Sequence, residues 1–122
     1  MRAADAGRYA ASVVGARLES EVVITAQKYR NLIESYLNYA IDVNELMARF
    51  DAYFYGEDEN LPKDLFLILN DTFEALECYM PDTPPEQETD TRISETTLRS
   101  ELAEICRRLD GYMKEASKQP AA

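Results

Sequence analysis

The sequence predicts an all-α protein, an antiparallel four-helix bundle with an extra N-terminal arm, and three observations carry that prediction. Apolar residues return at three- and four-residue steps in four separate stretches, which is the period of a helix with one buried side. No stretch alternates apolar and polar residues over the length of a strand. Helix start and stop residues separate the stretches, and 122 residues suffice for a single core without metal or disulfide staples. The arm is assigned residues 1–18 and the bundle residues 19–122.

The arm, MRAADAGRYAASVVGARL, carries small residues, two glycines, and three arginines against one aspartate. Its apolar run from Tyr9 to Ala16 is shorter and weaker than the middle of a signal peptide, and helix is expected at most from Ala10 to Arg17. From Glu19 a first helix sets Val22, Ala26, Tyr29, Ile33, Tyr36, Leu37 and Ala40 on one side. The connection at Ile41 and Asp42 is so short that helices one and two must be antiparallel neighbours. Asp42 is a good N-cap, and Glu45 three positions on can return the hydrogen bond as a capping box. The second helix buries Leu46, Met47, Phe50, Tyr53 and Phe54, and Gly56 is placed to end it in a left-handed cap.

The third helix is read from Leu61 to Asp82, with Asn60 as cap, Pro62 in the first turn and Pro81 as the stop. Leu65, Ile68, Leu69, Thr72, Phe73, Leu76, Tyr79 and Met80 fall on its inner side, and Asp64, Leu67, Asp71, Glu74, Glu77 and Cys78 on the other. Three prolines in PDTPPEQETDTRI exclude regular structure from Pro81 to about Ile93. Ser94 then caps a fourth helix, whose Leu98, Leu102, Ile105, Leu109 and Tyr112 make a heptad-like seam. Its tail, from about Ala116, is expected to fray.

Composition narrows the chemistry. The net charge is -10, with 23 acids against 13 bases, which argues against nucleic acid or an anionic membrane as partner and for a basic protein. Histidine is absent, so the side chain that titrates near neutral pH, and the commonest nitrogen ligand for zinc or iron, are missing. No catalytic residues, cofactor or metal are therefore assigned. The acidic residues between Asp51 and Lys63 miss the alternating ligand positions of an EF-hand, and Lys63 falls where its bidentate Glu belongs. Cys78 and Cys106 lie in separate helices without metal-type spacing; free thiols in a reducing cytoplasm are expected, and a disulfide between the two helices is the open alternative. No apolar run reaches the ~18 residues of a membrane span.

What remains is an acidic surface. Asp71, Glu74 and Glu77 climb the third helix three residues apart, with Leu67 in the same stripe and Tyr79 at the helix end. Asp82, Glu86, Glu88 and Asp90 continue the charge into the loop. Charged faces of bundle helices are commonly no more than solvated, but this one has almost no Lys or Arg of its own and carries a large apolar residue. Carboxylates around an apolar anchor suit a basic protein partner. An acidic adaptor or nucleic-acid mimic bound to a basic regulator is one reading of this surface, and a small enzyme is another.

Four blocks between Ala26 and Leu109 stand out: LIESYLNYAIDVNELMARF, YGEDENLPKDL, DTFEALECYMPD and ISETTLRSELAEICRRL. In order and pattern they resemble the colicin-like immunity family, of the colicin D and contact-dependent inhibition kind. The resemblance implies a cytoplasmic bacterial protein, a four-helix bundle without catalysis of its own, whose carboxylates occupy the basic cleft of a tRNA-cleaving nuclease toxin. Asp71, Glu77 and Asp82 match acidic positions of the family block. Glu74 stands where the family has an apolar residue, so it is drawn from geometry alone.

Overall fold

The computed structural model describes residues 15–57 and 61–118. Among them are four α-helices, α1 (Gly15–Leu37), α2 (Val43–Gly56), α3 (Lys63–Cys78) and α4 (Glu95–Lys118), and a single 3-10 turn at Pro85–Gln87. The contacts fix their directions. Arg30 meets Asp110 while Tyr36 meets Glu95, so α1 and α4 run oppositely. Asp71 meets Arg108 while Tyr79 bridges Ile93, so α3 is also opposite to α4. Lys28 meets Glu57, Tyr29 meets Phe50 and Tyr53, and a short link joins the near ends, so α2 is antiparallel to α1. The result is an up-down-up-down bundle. The contact between α1 and α4, the two longest helices, is the most extensive, and that between α2 and α3 the least extensive of the neighbouring pairs.

The buried stripes follow the helical period. Ala26, Tyr29, Ile33 and Tyr36 from α1, Leu46 and Phe50 from α2, Leu65, Ile68, Leu69 and Leu76 from α3, and Leu98, Leu102, Ile105 and Leu109 from α4 form one core. Leu32, Ala75 and Cys106 join it, while Val22, Leu37, Met47, Tyr53, Phe54, Phe73 and Tyr112 are only half-buried at its edge. Each fully buried large side chain contributes about 1.5–3 kcal/mol relative to exposure. Two polar clasps reach inward: Tyr29 donates to Glu57 at 2.6 Å and Tyr36 to Glu95 at 2.6 Å. Burial and these carboxylates together hold both phenols well above the usual tyrosine range.

The ends of the elements differ from the sequence expectation in instructive ways. α1 already begins at Gly15, across the boundary set between residues 18 and 19; the rest of the arm lies outside the described residues. It stops at Leu37, so Ala40 is exposed in a longer turn. Asp42 does cap α2, accepting from the Glu45 N–H at 2.8 Å, but the Glu45 carboxylate takes Arg49 at 2.6 Å. Gly56 is not a left-handed cap. It is the last helical residue, and Glu57 continues extended at φ -71 and ψ 148 with its carboxylate held by Lys28 and Tyr29. α3 ends at Cys78, not Asp82, with Pro62 just before its first turn; Asn60 lies outside the described residues. Tyr79 is extended, which swings Met80 out of the core to 47 % exposure. α4 remains helical to Lys118, past the expected fraying point.

The proline-rich connection is more ordered than the sequence suggests. Ile93 donates to the Cys78 carbonyl at 2.9 Å and Met80 donates to the Ile93 carbonyl at 3.1 Å, closing the loop at its base. Thr89 and Arg92 pair across its tip, and the buried Thr83 hydroxyl donates to the Met80 carbonyl at 2.7 Å. Prolines exclude a helix or a strand, but they leave donors enough for this bridged turn.

An acidic groove between the third and fourth helices

α3 presents its outer side because Leu65, Ile68, Leu69, Thr72 and Leu76 are drawn inward. Thr72 is fully buried, and its hydroxyl donates to the Ile68 carbonyl one turn back at 2.9 Å, so the residue before Phe73 costs the core no orphan donor. On the outer side Leu67 is 44 % exposed, as its place in the acidic stripe requires. Asp71 is exposed one turn later, and Glu74 accepts from the Asn70 amide at 3.2 Å.

Two adjoining hollows run along the α3–α4 seam. One, of about 220 Å³, is lined by Asp71, Glu74, Ala75, Cys78, Asp90, Ile93 and Glu101. The next, of about 200 Å³, is lined by Asp71, Ala75, Glu101, Glu104, Ile105 and Arg108. The structure thus brings Asp71, Glu74 and Asp90 together and adds Glu101 and Glu104, which the sequence reading missed. Their spacing with Arg108, three and then four residues apart on the flank of the α4 seam, is the signal that was available.

The other sequence-assigned residues are distributed around this groove. Glu77 is exposed but turned toward the flank that carries Phe73 and Phe66, because six residues of helix rotate it well away from Asp71. Tyr79 is half-buried at the end of α3. Asp82 is exposed in the turn, in a left-handed conformation at φ 62. Glu86 is exposed on the 3-10 turn. Glu88 accepts from the Ser94 N–H at 2.6 Å, at the start of α4, so it secures the helix entrance. The Ser94 and Thr97 donors around it hold its carboxyl below the usual carboxylate range.

The acidic face is also less bare than its own helix implies. Arg108 reaches across from α4 and meets Asp71 at 2.9 Å. The remaining carboxylates outnumber it, so the groove keeps a negative balance on two rigid helices. Carboxylates fixed in this way can take bidentate or charge-assisted hydrogen bonds from the Arg and Lys of a partner. Among the described residues there is no cluster of His, Cys, Asp or Glu arranged to hold a metal. Cys78 and Cys106 are free, and burial pushes the Cys106 thiol up. Among the described residues, no helix is long and apolar enough to cross a membrane.

Fold and surface together define the class: a small acidic helical bundle with a carboxylate-lined groove between α3 and α4. The chain belongs to the bacterial self-protective colicin-like immunity family, whose sequence model matches residues 24–109. Membership implies a toxin-neutralising immunity protein that binds a toxin protein, in a family generally without enzymatic activity. No curated protein and no solved structure gives a significant match.

Proposed function

We infer that this protein neutralises a bacterial nuclease toxin of the colicin D or contact-dependent inhibition kind by laying its acidic surface over the basic active-site cleft. The observation that carries this reading is the carboxylate-lined α3–α4 groove in a chain of the colicin-like immunity family. The toxin must bind the anionic backbone of RNA, so its cleft offers Lys and Arg. Asp71, Glu74, Asp90 and Glu101 stand in for that backbone, and Leu67 supplies apolar contact beside them. Long-range attraction raises the encounter rate, and the few desolvated contacts slow dissociation. Asp82 and Glu86 extend the same field over the loop, with Glu77 and Tyr79 at the border. The protein performs this role in the bacterial cytoplasm with no cofactor, no nucleic acid and no catalysis of its own.

The test is co-purification with the C-terminal domain of the toxin encoded beside this gene, followed by a nuclease assay with and without the protein. Asp71→Lys together with Glu77→Lys should lose binding and protection while helical circular dichroism stays at the parent level. Undiminished protection by that variant would remove the acidic face from the mechanism.

A further inference from the structure

α2 and α3 touch least of the neighbouring helix pairs, and aromatic rings close the gap from outside. Phe54 of α2 stacks on Phe66 of α3 with centroids 6.0 Å apart and meets Phe73 at 5.9 Å. Tyr55 stands edge-on to Phe73 at 6.3 Å. Phe54 and Phe73 lean on the core, but Tyr55 is 72 % exposed and Phe66 42 %. One exposed ring is ordinary, whereas two exposed rings joined through half-buried Phe54 and Phe73 form a continuous apolar patch.

The charges around the patch select its occupant. Exposed Asp51 lies one turn from Tyr55, and exposed Glu77 one turn from Phe73, with Lys63 near Phe66 set against them. A second copy of the chain would bring carboxylates against carboxylates at a net charge of -10. A basic protein that offers an apolar side chain between Lys or Arg residues meets both the rings and the rim.

We propose that the seam of Phe54, Tyr55, Phe66 and Phe73 is the apolar anchor of the toxin-docking surface, receiving an aliphatic or aromatic side chain whose basic neighbours meet Asp51 and Glu77. This rests on the immunity reading and extends it. The seam and the acidic groove flank the same helix, and Leu67 beside Phe66 lies between them. A toxin domain laid along α3 therefore reaches both, taking its steering from the groove and its residence time from the rings.

The experiment measures association and dissociation rates of the full chain with the C-terminal domain of the toxin encoded beside it. It compares the parent with Tyr55→Phe, Tyr55→Ser, and Tyr55→Ser combined with Phe66→Ser. The double variant should dissociate at least about tenfold faster with its association rate and salt dependence kept, the signature of a desolvated anchor. Tyr55→Phe should behave as the parent. Should the double variant melt early, Tyr55→Ser alone carries the comparison, since that side chain packs little against the core. Parent-like dissociation of the serine variants would overturn the anchor and leave the immunity reading intact. A parent that neither binds nor inhibits the toxin domain would overturn both. A dimer of the free parent that the double variant dissolves would make the seam a self-interface and overturn the proposal.

Discussion

Tyr39 is the residue at which local strain and tertiary contact are most openly opposed. It follows the end of α1 at φ 65, the left-handed position usually taken by glycine. The hydrogen bonds of a Schellman turn surround it, Tyr39 N–H to the Tyr36 carbonyl at 3.0 Å and Ala40 N–H to the Ser35 carbonyl at 2.8 Å. Arg99 from α4 compensates: its guanidinium lies 4.1 Å from the Tyr39 ring centre and donates to the Tyr36 and Leu37 carbonyls at the end of α1. A left-handed conformation costs a non-glycine residue about 1–2 kcal/mol, whereas an exposed cation–π contact returns about 0.5–1 kcal/mol. Tyr39→Gly should therefore stabilise the protein by up to about 1 kcal/mol, read as a higher urea midpoint. A loss of stability would mean that Arg99 stacking outweighs the strain. Glu88 gives the complementary case, in which pH is the probe. Its carboxyl is held below its unfolded value by the Ser94 and Thr97 donors. Its contribution is thus complete above the unfolded value of about 4.3 and disappears as pH falls through the folded one. Glu88→Gln should cost stability at neutral pH and progressively less as pH falls below the unfolded value of about 4.3, so the gap between parent and variant in urea midpoint narrows on acidification.

At the scale of the helix, interiors were legible and ends were legible only where the cap is local. Ser94 caps α4 as its side chain predicts, accepting from the Thr97 N–H at 3.2 Å, and Asp42 does the same for α2. Gly56 failed because the chain after it is set by α1, whose Lys28 and Tyr29 hold Glu57 in an extended path that no pattern within α2 encodes. Met80 failed for a related reason: the backbone bridge from Cys78 and Met80 to Ile93 takes the chain out of the helix before Asp82. Gly111 is a different kind of weak point. It sits inside α4, where a Cβ would meet nothing within 4 Å. Glycine in a helix interior costs about 0.8–1.0 kcal/mol relative to alanine, and no steric penalty offsets the exchange here. Gly111→Ala should raise stability by about 0.5–1 kcal/mol, measured by thermal or urea unfolding with unchanged toxin binding. Part of the candidate site was hidden at this same scale. A ridge of carboxylates on α3 can be read from spacing, but Arg108 crossing to Asp71, and Glu101 and Glu104 completing the groove, require knowing that α4 packs beside α3.

For the molecule as a whole, charge acts in opposite directions on folding and on binding. With 23 acids against 13 bases, many carboxylates have no base to pair with, and the ion pairs present are mostly exposed and individually weak. Net repulsion in the folded chain therefore exceeds what those pairs return. Raising ionic strength from about 0.01 M to about 0.15 M shortens the screening length from about 30 Å to about 8 Å, which relieves repulsion across the bundle. The same screening shortens the reach of the acidic surface toward a basic partner. Over that range the free protein should melt at a higher temperature while its association rate with the toxin domain falls several-fold. The dissociation rate should change much less, because contacts made after desolvation are poorly screened. If salt left the association rate unchanged, charge would have no part in the encounter, and the acidic groove would be ordinary solvated surface. If salt instead lowered the melting temperature, the ion pairs would outweigh the repulsion, and the one-sided charge would have to be counted as neutral for folding.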